Sequence, residues 1–448
     1  MSQPFQRALR GLLWLPLLAP TLWAQDGAES ASSAPVRPPA PAALRWERTL
    51  EEARVQAKRA GTFVFVTLPV DRPGHGRGQL RGSLWDDGEL RETLAAGYCV
   101  AGSHHRHVEV ESGLDAKGQE LPRICTRFGQ LVCDQHREIE KQVLARYFGG
   151  EEPAARPVFL VISPSDGSLL ARQVGETTPQ ILADIVRSAA RAVDGDGLPT
   201  VPSELLGRAT SENAAVRFDA LRTLAALTFP AADGMRRRFV EGAPNDAVRA
   251  EIFAAMFEAG NGALFDLARK SLDSKEPILR TQAGRALAAD GRPAAAEPLL
   301  KRLAQPIGES ERWIHLLSLG RVARGNSDAI AVLKRDATSA RPLIRSSALM
   351  ALASAAPADE QSVSLFEQRM ATDLDARVRG TAAVARVLSE PDAGGEESPL
   401  AELLRKRARA EKDQRVGDVL HACHAFVGGN LEIDLRRPLV ALWESTAR

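Results

Sequence analysis

The residue types best suited to chemistry gather in one stretch of the chain. Five of the eight histidines fall between His75 and His136, and two of the four cysteines, Cys125 and Cys133, lie there too. Cysteine and histidine suit Zn²⁺ or copper, and Cys133 with His136 sets two ligands three residues apart on one helix face. His104, His105 and His107 are the remaining weak candidates for such a set, although the spacing matches no closed zinc motif. A Cys125–Cys133 disulfide is a second reading. It would close a short loop and contribute about 2–3 kcal/mol. Unpaired structural thiols are a third, and the residues leave all three open. Gly74-His75-Gly76-Arg77-Gly78 offers backbone N–H groups to an anion but lacks the lysine of a phosphate loop, so it reads as connection. No Gly-x-Ser-x-Gly elbow, His-Glu-x-x-His helix or calcium loop occurs. The chain therefore carries no recognisable catalytic constellation, implies no cofactor and points away from an enzyme.

Short elements must hold this stretch in place. Leu50 to Arg59 has helical spacing and stops at Gly61, and Thr62 to Leu68 is an apolar β-branched and aromatic run, hence a buried strand. Glu89–Ala95 predicts a second helix, Gly97–Ala101 a second strand with Cys99 in the core, and Pro157–Ile162 a third strand. Ser165-Asp166-Gly167 predicts the turn to a hairpin partner over Ser168–Val174, and Thr178–Val193 a closing amphipathic helix. An insertion from about 104 to 155 separates the second and third strands, with a helix expected over Gln135–Tyr147 because Ile139, Val143 and Leu144 share a face.

This order resembles the thioredoxin-like fold, particularly exported members that open with a Trp and a Glu-Glu-Ala helix. The matching residues are Trp46, Leu50-Glu51-Glu52-Ala53 with Ala57 and Gly61, Phe63–Val66, Trp85-Asp86-Asp87, Arg156-Pro157-Val158-Phe159-Leu160 and the Asp166-Gly167 turn. The resemblance covers roughly residues 44–194 and implies that Pro157 takes the place of the family's cis-proline. Redox members carry Cys-x-x-Cys after the first strand. Here that place reads Pro69-Val70-Asp71-Arg72-Pro73, without a cysteine, so standard thioredoxin chemistry is absent.

After a linker at 195–202, an arginine recurs ahead of an apolar helical run: Arg217, Arg249, Arg280, Arg312, Arg345, Arg379, and again Arg415. The intervals are 32, 31, 32, 33, 34 and 36 residues, the mark of a helical solenoid that buries its core by stacking units. Seven helical pairs fit residues 203–427, and Leu435–Thr446 with Trp443 suits a terminal cap. Asp246-Ala247-Val248-Arg249, Asp375-Ala376-Arg377-Val378-Arg379 and Ile344-Arg345 resemble the HEAT family, with a degenerate copy at Arg312. A cation in a helix's first turn opposes the macrodipole, so its recurrence implies pairing with turn acids such as Asp246 or Asp375. His315 occupies an inward offset filled by Ala or Ile elsewhere, and is expected as a satisfied buried histidine, while Cys423 between His421 and His424 is expected to pack.

The remaining bounds concern location and partners. Arg7 and Arg10 precede a dozen mostly apolar residues ending near Ala24, which reads as an export signal over 1–24, and Ala/Pro/Ser-rich 25–43 as a disordered tether. The mature protein is expected outside the cytoplasm, periplasmic or extracellular in a bacterium, with no membrane span after cleavage. A net charge of +1 from 58 basic and 57 acidic residues argues against a nucleic-acid partner. Arg236-Arg237-Arg238 and Arg405-Lys406-Arg407-Ala408-Arg409 are expected on solvated helix faces. The expectation is a non-catalytic protein–protein interaction scaffold, α/β followed by an all-α solenoid. Thiol–disulfide sensing through Cys125 and Cys133, or metal binding by the insertion, are the alternatives.

Overall fold

The computed structural model describes residues 44–68, 87–102, 133–149, 157–175, 177–192, 199–357, 359–389, 397–428 and 435–445. The supposed signal and tether, the Gly74–Gly78 loop, Cys125 and His104, His105 and His107 lie outside these residues. The described chain is mostly helical, with a small mixed sheet near its N-terminal end.

Helix α1 (Leu50–Ala60) begins where the Thr49 side chain accepts the Glu52 N–H and ends at Gly61, whose φ of 64° only glycine adopts freely. Strand β1 (Val64–Leu68) follows, then α2 (Gly88–Ala95) capped by Asp87, and β2 (Tyr98–Ala101). Helix α3 (Cys133–Tyr147) precedes the hairpin β3 (Val158–Ile162) and β4 (Leu169–Val174). Helix α4 (Pro179–Arg191) starts with Thr178 as cap and Pro179 in its first turn, where a missing N–H costs nothing.

Strand order is β2-β1-β3-β4, with β1 parallel to β2 and antiparallel to β3, and β3 antiparallel to β4. Alternation splits the side chains between two cores. Phe65, Cys99, Phe159 and Val161 pack with α2 and α4 on one face. Val64, Val66, Val100 and Leu160 pack with α1 and α3 on the other. A parallel bridge from Trp46 to Cys99 covers the outer side of β2.

The helices that follow come in pairs: α5 (Ser203–Ala209) and α6 (Ala214–Ala226), α7 (Pro230–Glu241) and α8 (Asp246–Ala259), α9 (Phe265–Ser271) and α10 (Pro277–Leu287). A 3-10 turn and α11 (Ala296–Leu303) pair with α12 (Glu309–Val322), α13 (Ser327–Asp336) with α14 (Pro342–Ala355), and α15 (Glu360–Thr372) with α16 (Ala376–Ser389). The last pair is α17 (Pro399–Ala410) and α18 (Gln414–Val427), followed by α19 (Arg436–Ser445). Each second helix packs on the next second helix, α6 on α8 through to α16 on α18, an arrangement compatible with a helical solenoid. Helix α19 packs on α16 and α18, burying Leu442 beside Gly380.

The sheet and the helical pairs share one continuous core. Strand β4 runs against the C-terminal ends of α6 and α8: Thr228 Oγ1 donates to Leu169 O at 2.7 Å, and Gln173 Nε2 to Glu258 O at 2.7 Å. Ala171 bridges antiparallel to Leu227, so a turn of the helical region serves as a stub of fifth strand. No described helix is long and apolar enough to cross a membrane.

Candidate functional site

The arginine series is where sequence periodicity becomes side-chain geometry. Four members share one arrangement. Arg217 Nη1 donates to Ser211 O, Arg280 to Ser274 O and Arg345 to Ser339 O, each at 2.8 Å, and Arg379 to Asp373 O at 3.0 Å. Each also donates to the following carbonyl, so one guanidinium closes the turn that precedes its own helix. Its other nitrogens grip a carboxylate of the next pair: Glu251, Glu311, Asp373 and Glu411 respectively. The pairing is bidentate in all four, the geometry that suits a planar guanidinium.

Arg249 and Arg312 use a second arrangement, reaching back nine residues to Val240 O at 3.1 Å and Leu303 O at 3.0 Å. Arg249 pairs with Asp246 of its own turn and Arg312 with Asp336. Arg415 bonds Asp413. Asp375, expected as a partner of the series, binds Arg377 instead, at 2.6 Å. The two arrangements have a signal in the sequence. Six residues before Arg217, Arg280, Arg345 and Arg379 stand Ser211, Ser274, Ser339 and Asp373. Each accepts the N–H two residues on and so shapes the turn. Ala243 and Pro306, six before Arg249 and Arg312, lack a side chain able to accept.

Glu311 is the most heavily engaged carboxylate. Arg302 Nε donates to it at 2.7 Å, alongside Arg280, and it is nearly buried. Burial alone would raise its pKa, but contacts with His315, Arg280 and Arg302 outweigh burial and hold it well below the usual carboxylate range. His315 is fully buried, its Nε2 3.4 Å from Glu311 Oε1 without hydrogen-bond geometry and its Nδ1 lacking a partner. The expectation of a satisfied histidine is therefore corrected: burial depresses its pKa and keeps it neutral. Space for the ring exists because residue 284 is glycine, where a Cβ would stand 2.3 Å from the imidazole.

A second row lies on the second helices themselves. Arg222 of α6 pairs with Glu258 of α8 at 2.8 Å. The guanidinium carbons of Arg285 (α10) and Arg321 (α12) both lie over the Phe257 ring, 4.4 and 4.5 Å from its centre. The sequence reading missed these residues. Their signal was a further arginine on a helix of the series, five residues after Arg217 and Arg280 and nine after Arg312. The run Arg236–Arg238 also needs correction. Arg236 is not solvated but buried, donating from Nη1 to Leu224 O at 2.7 Å and Leu227 O at 2.6 Å. Those carbonyls end α6 and have no helical partner, so a cation there satisfies orphan acceptors and the helix dipole together. Arg237 does face solvent and pairs with Asp266.

The other sequence candidates are dispersed. His136 is buried on α3, and Cys133 is the first residue of that helix. The pairing of Cys133 with Cys125 involves side chains outside the described residues. Pro157 is buried and its carbonyl accepts the Gly175 N–H at 2.8 Å, while its bond to Arg156 lies outside the described residues. Cys99 and Cys423 are completely buried, and burial pushes both thiols up to about 12, far from thiolate chemistry at neutral pH. No group of three or more metal-type ligands occurs among the described residues. A cavity of about 550 Å³ between α2 and α4 is walled by Thr62, Phe63, Glu89, Glu92, Arg187 and Arg191, with both arginines already paired to acids. Compared with models of known families and with curated proteins, the chain matches none.

Proposed function

We propose that this protein is an exported scaffold for protein–protein interaction, built from a thioredoxin-like unit without its redox cysteines and a HEAT-like solenoid. The observation that carries the reading is the arginine series. Five guanidinium groups, those of Arg217, Arg280, Arg312, Arg345 and Arg379, each clasp a carboxylate of the next pair, and four of them also close the turn before their own helix. That device fixes the relative setting of successive pairs, which a long recognition surface needs. The strand order β2-β1-β3-β4, with helices on both faces, supports a thioredoxin-like unit. The recurring pairs and the Asp-x-Val-Arg type helix starts support HEAT-like repeats. Export rests on the sequence of residues 1–24 alone. Thiol chemistry would fall to Cys125 and Cys133, since Cys99 and Cys423 are buried.

The test is purification of the full chain from its native cell envelope after in-cell crosslinking, followed by mass spectrometry. A scaffold recovers a reproducible protein partner at near-stoichiometric yield. Recovery of the chain alone under saturating crosslinking rejects the reading.

A further inference from the structure

The two arginines over Phe257 are short of negative charge. Arg222 is neutralised by Glu258, but no described carboxylate forms an ion pair with Arg285 or Arg321. Arg285 Nη1 donates to Gln282 Oε1 at 2.7 Å, and Arg321 Nη2 reaches Ala289 O at 3.3 Å, while Arg285 Nε and Arg321 Nη1 are buried without a partner. Three guanidinium groups thus face one carboxylate in this row. Burial pushes Arg285 down to about 10, still cationic at neutral pH. An uncompensated buried cation costs stability, and an apolar side chain of similar volume would avoid that cost. The ring holds both cations in place without using their N–H donors, so Arg285 Nε and Arg321 Nη1 stay unpartnered. Arg285 is buried, with 7% of its surface exposed, and Arg321 is half-buried, so a partner's side chain would meet Arg321 first.

We propose that Arg285 and Arg321, ordered by Phe257, form a clamp for acidic side chains of a protein partner. The proposal rests on the scaffold reading and supplies its chemistry: an aspartate- or glutamate-rich segment laid across α8, α10 and α12. A guanidinium pair offers a carboxylate several convergent donors, and the row's excess positive charge favours an acidic segment over a basic or neutral one.

The experiment titrates the full chain with a fluorescent, end-capped hexaglutamate peptide, an equivalent hexaglutamine peptide and inorganic phosphate. Arg321→Gln and Arg285→Met are compared with the unsubstituted protein, each checked by thermal unfolding. Hexaglutamate should bind in a salt-sensitive manner, hexaglutamine should not, and each substitution should weaken binding by about tenfold or more. Arg285→Met should hold or raise the unfolding temperature, because it removes an unpaired charge and keeps the ring covered. A purely structural Arg285 predicts the opposite: a lowered unfolding temperature with unchanged peptide binding. Hexaglutamate binding by both variants equal to that of the unsubstituted protein, no hexaglutamate binding, or binding of phosphate alone overturns the proposal. The scaffold reading fails separately. A partner still crosslinked by both variants would sink the clamp and leave the scaffold, whereas hexaglutamate binding without any cellular partner would do the reverse.

Discussion

An arginine in the first turn of a helix faces the positive end of the macrodipole, and here that placement recurs in successive pairs. The turn carbonyls and a carboxylate from the next pair reverse the sign of its surroundings. Arg345 and Asp373 are the most enclosed of these pairs, with side chains 11% and 2% exposed. Arg345→Ala should therefore cost about 2–4 kcal/mol, since it leaves the buried Asp373 carboxylate with only a long contact to Arg369 and the Asp375 N–H. Arg191→Ala, which removes an ion pair more than half exposed on both sides, should cost no more than about 0.5 kcal/mol. Chemical unfolding of the two variants separates these cases, and equal effects would refute the buried role of Arg345. The His315–Glu311 pair makes a pH prediction. A depressed histidine pKa means the unfolded chain binds more protons, so its contribution is lost as pH falls below the ordinary 6.5. The depressed Glu311 contributes fully above its ordinary 4.5 and is lost as pH falls further. Unfolding temperature measured from pH 8 down to about pH 2 should fall in two stages, one below 6.5 and one below 4.5, and His315→Leu should remove the first.

Among the elements, close helix approaches depend on glycine at some positions and not at others. A Cβ at Gly320 on α12 would stand 2.6 Å from Ala351 Cα on α14, against backbone that cannot turn aside. Gly320→Ala should destabilise by about 1–3 kcal/mol. Gly417 on α18 has no neighbour within 4 Å of such an atom, so Gly417→Ala should stabilise by about 0.5–1 kcal/mol through helix propensity. Opposite shifts in unfolding midpoint are the check. Much at this scale was legible in the sequence. The run Thr62–Leu68 is too apolar and β-branched for anything but a buried strand, and the arginine period marked the second helix of each pair. What was not legible is long-range. Nothing local tells Arg217 that its partner is Glu251 rather than Asp219 on its own helix, or that Arg236 turns inward while Arg237 turns out. Those choices follow from which neighbour the packing brings near, and periodicity fixes only the face.

Across the whole molecule, the contact between sheet and helices was the feature least visible beforehand, because composition marked residues 195–202 as a linker between separate units. Instead Val174 of β4 packs against Gly260, which follows α8 with φ of 66°, leaving no room for a side chain. Gly260→Ala should lower hydrogen-exchange protection of β4 and of α6 and α8 together, while α16 and α18 keep theirs. Loss confined to one side of the contact would show that the two regions fold independently. The strand stitched across these helix ends has a mechanical consequence. A stack of helical pairs behaves as a spring whose bending is shared among its joints. Bracing the joint between α6 and α8 with a sheet edge makes the spring uneven, since that joint is held by a strand as well as by an arginine clasp. In the proposed scaffold, adjustment to a partner's shape would then fall on the joints that no strand braces.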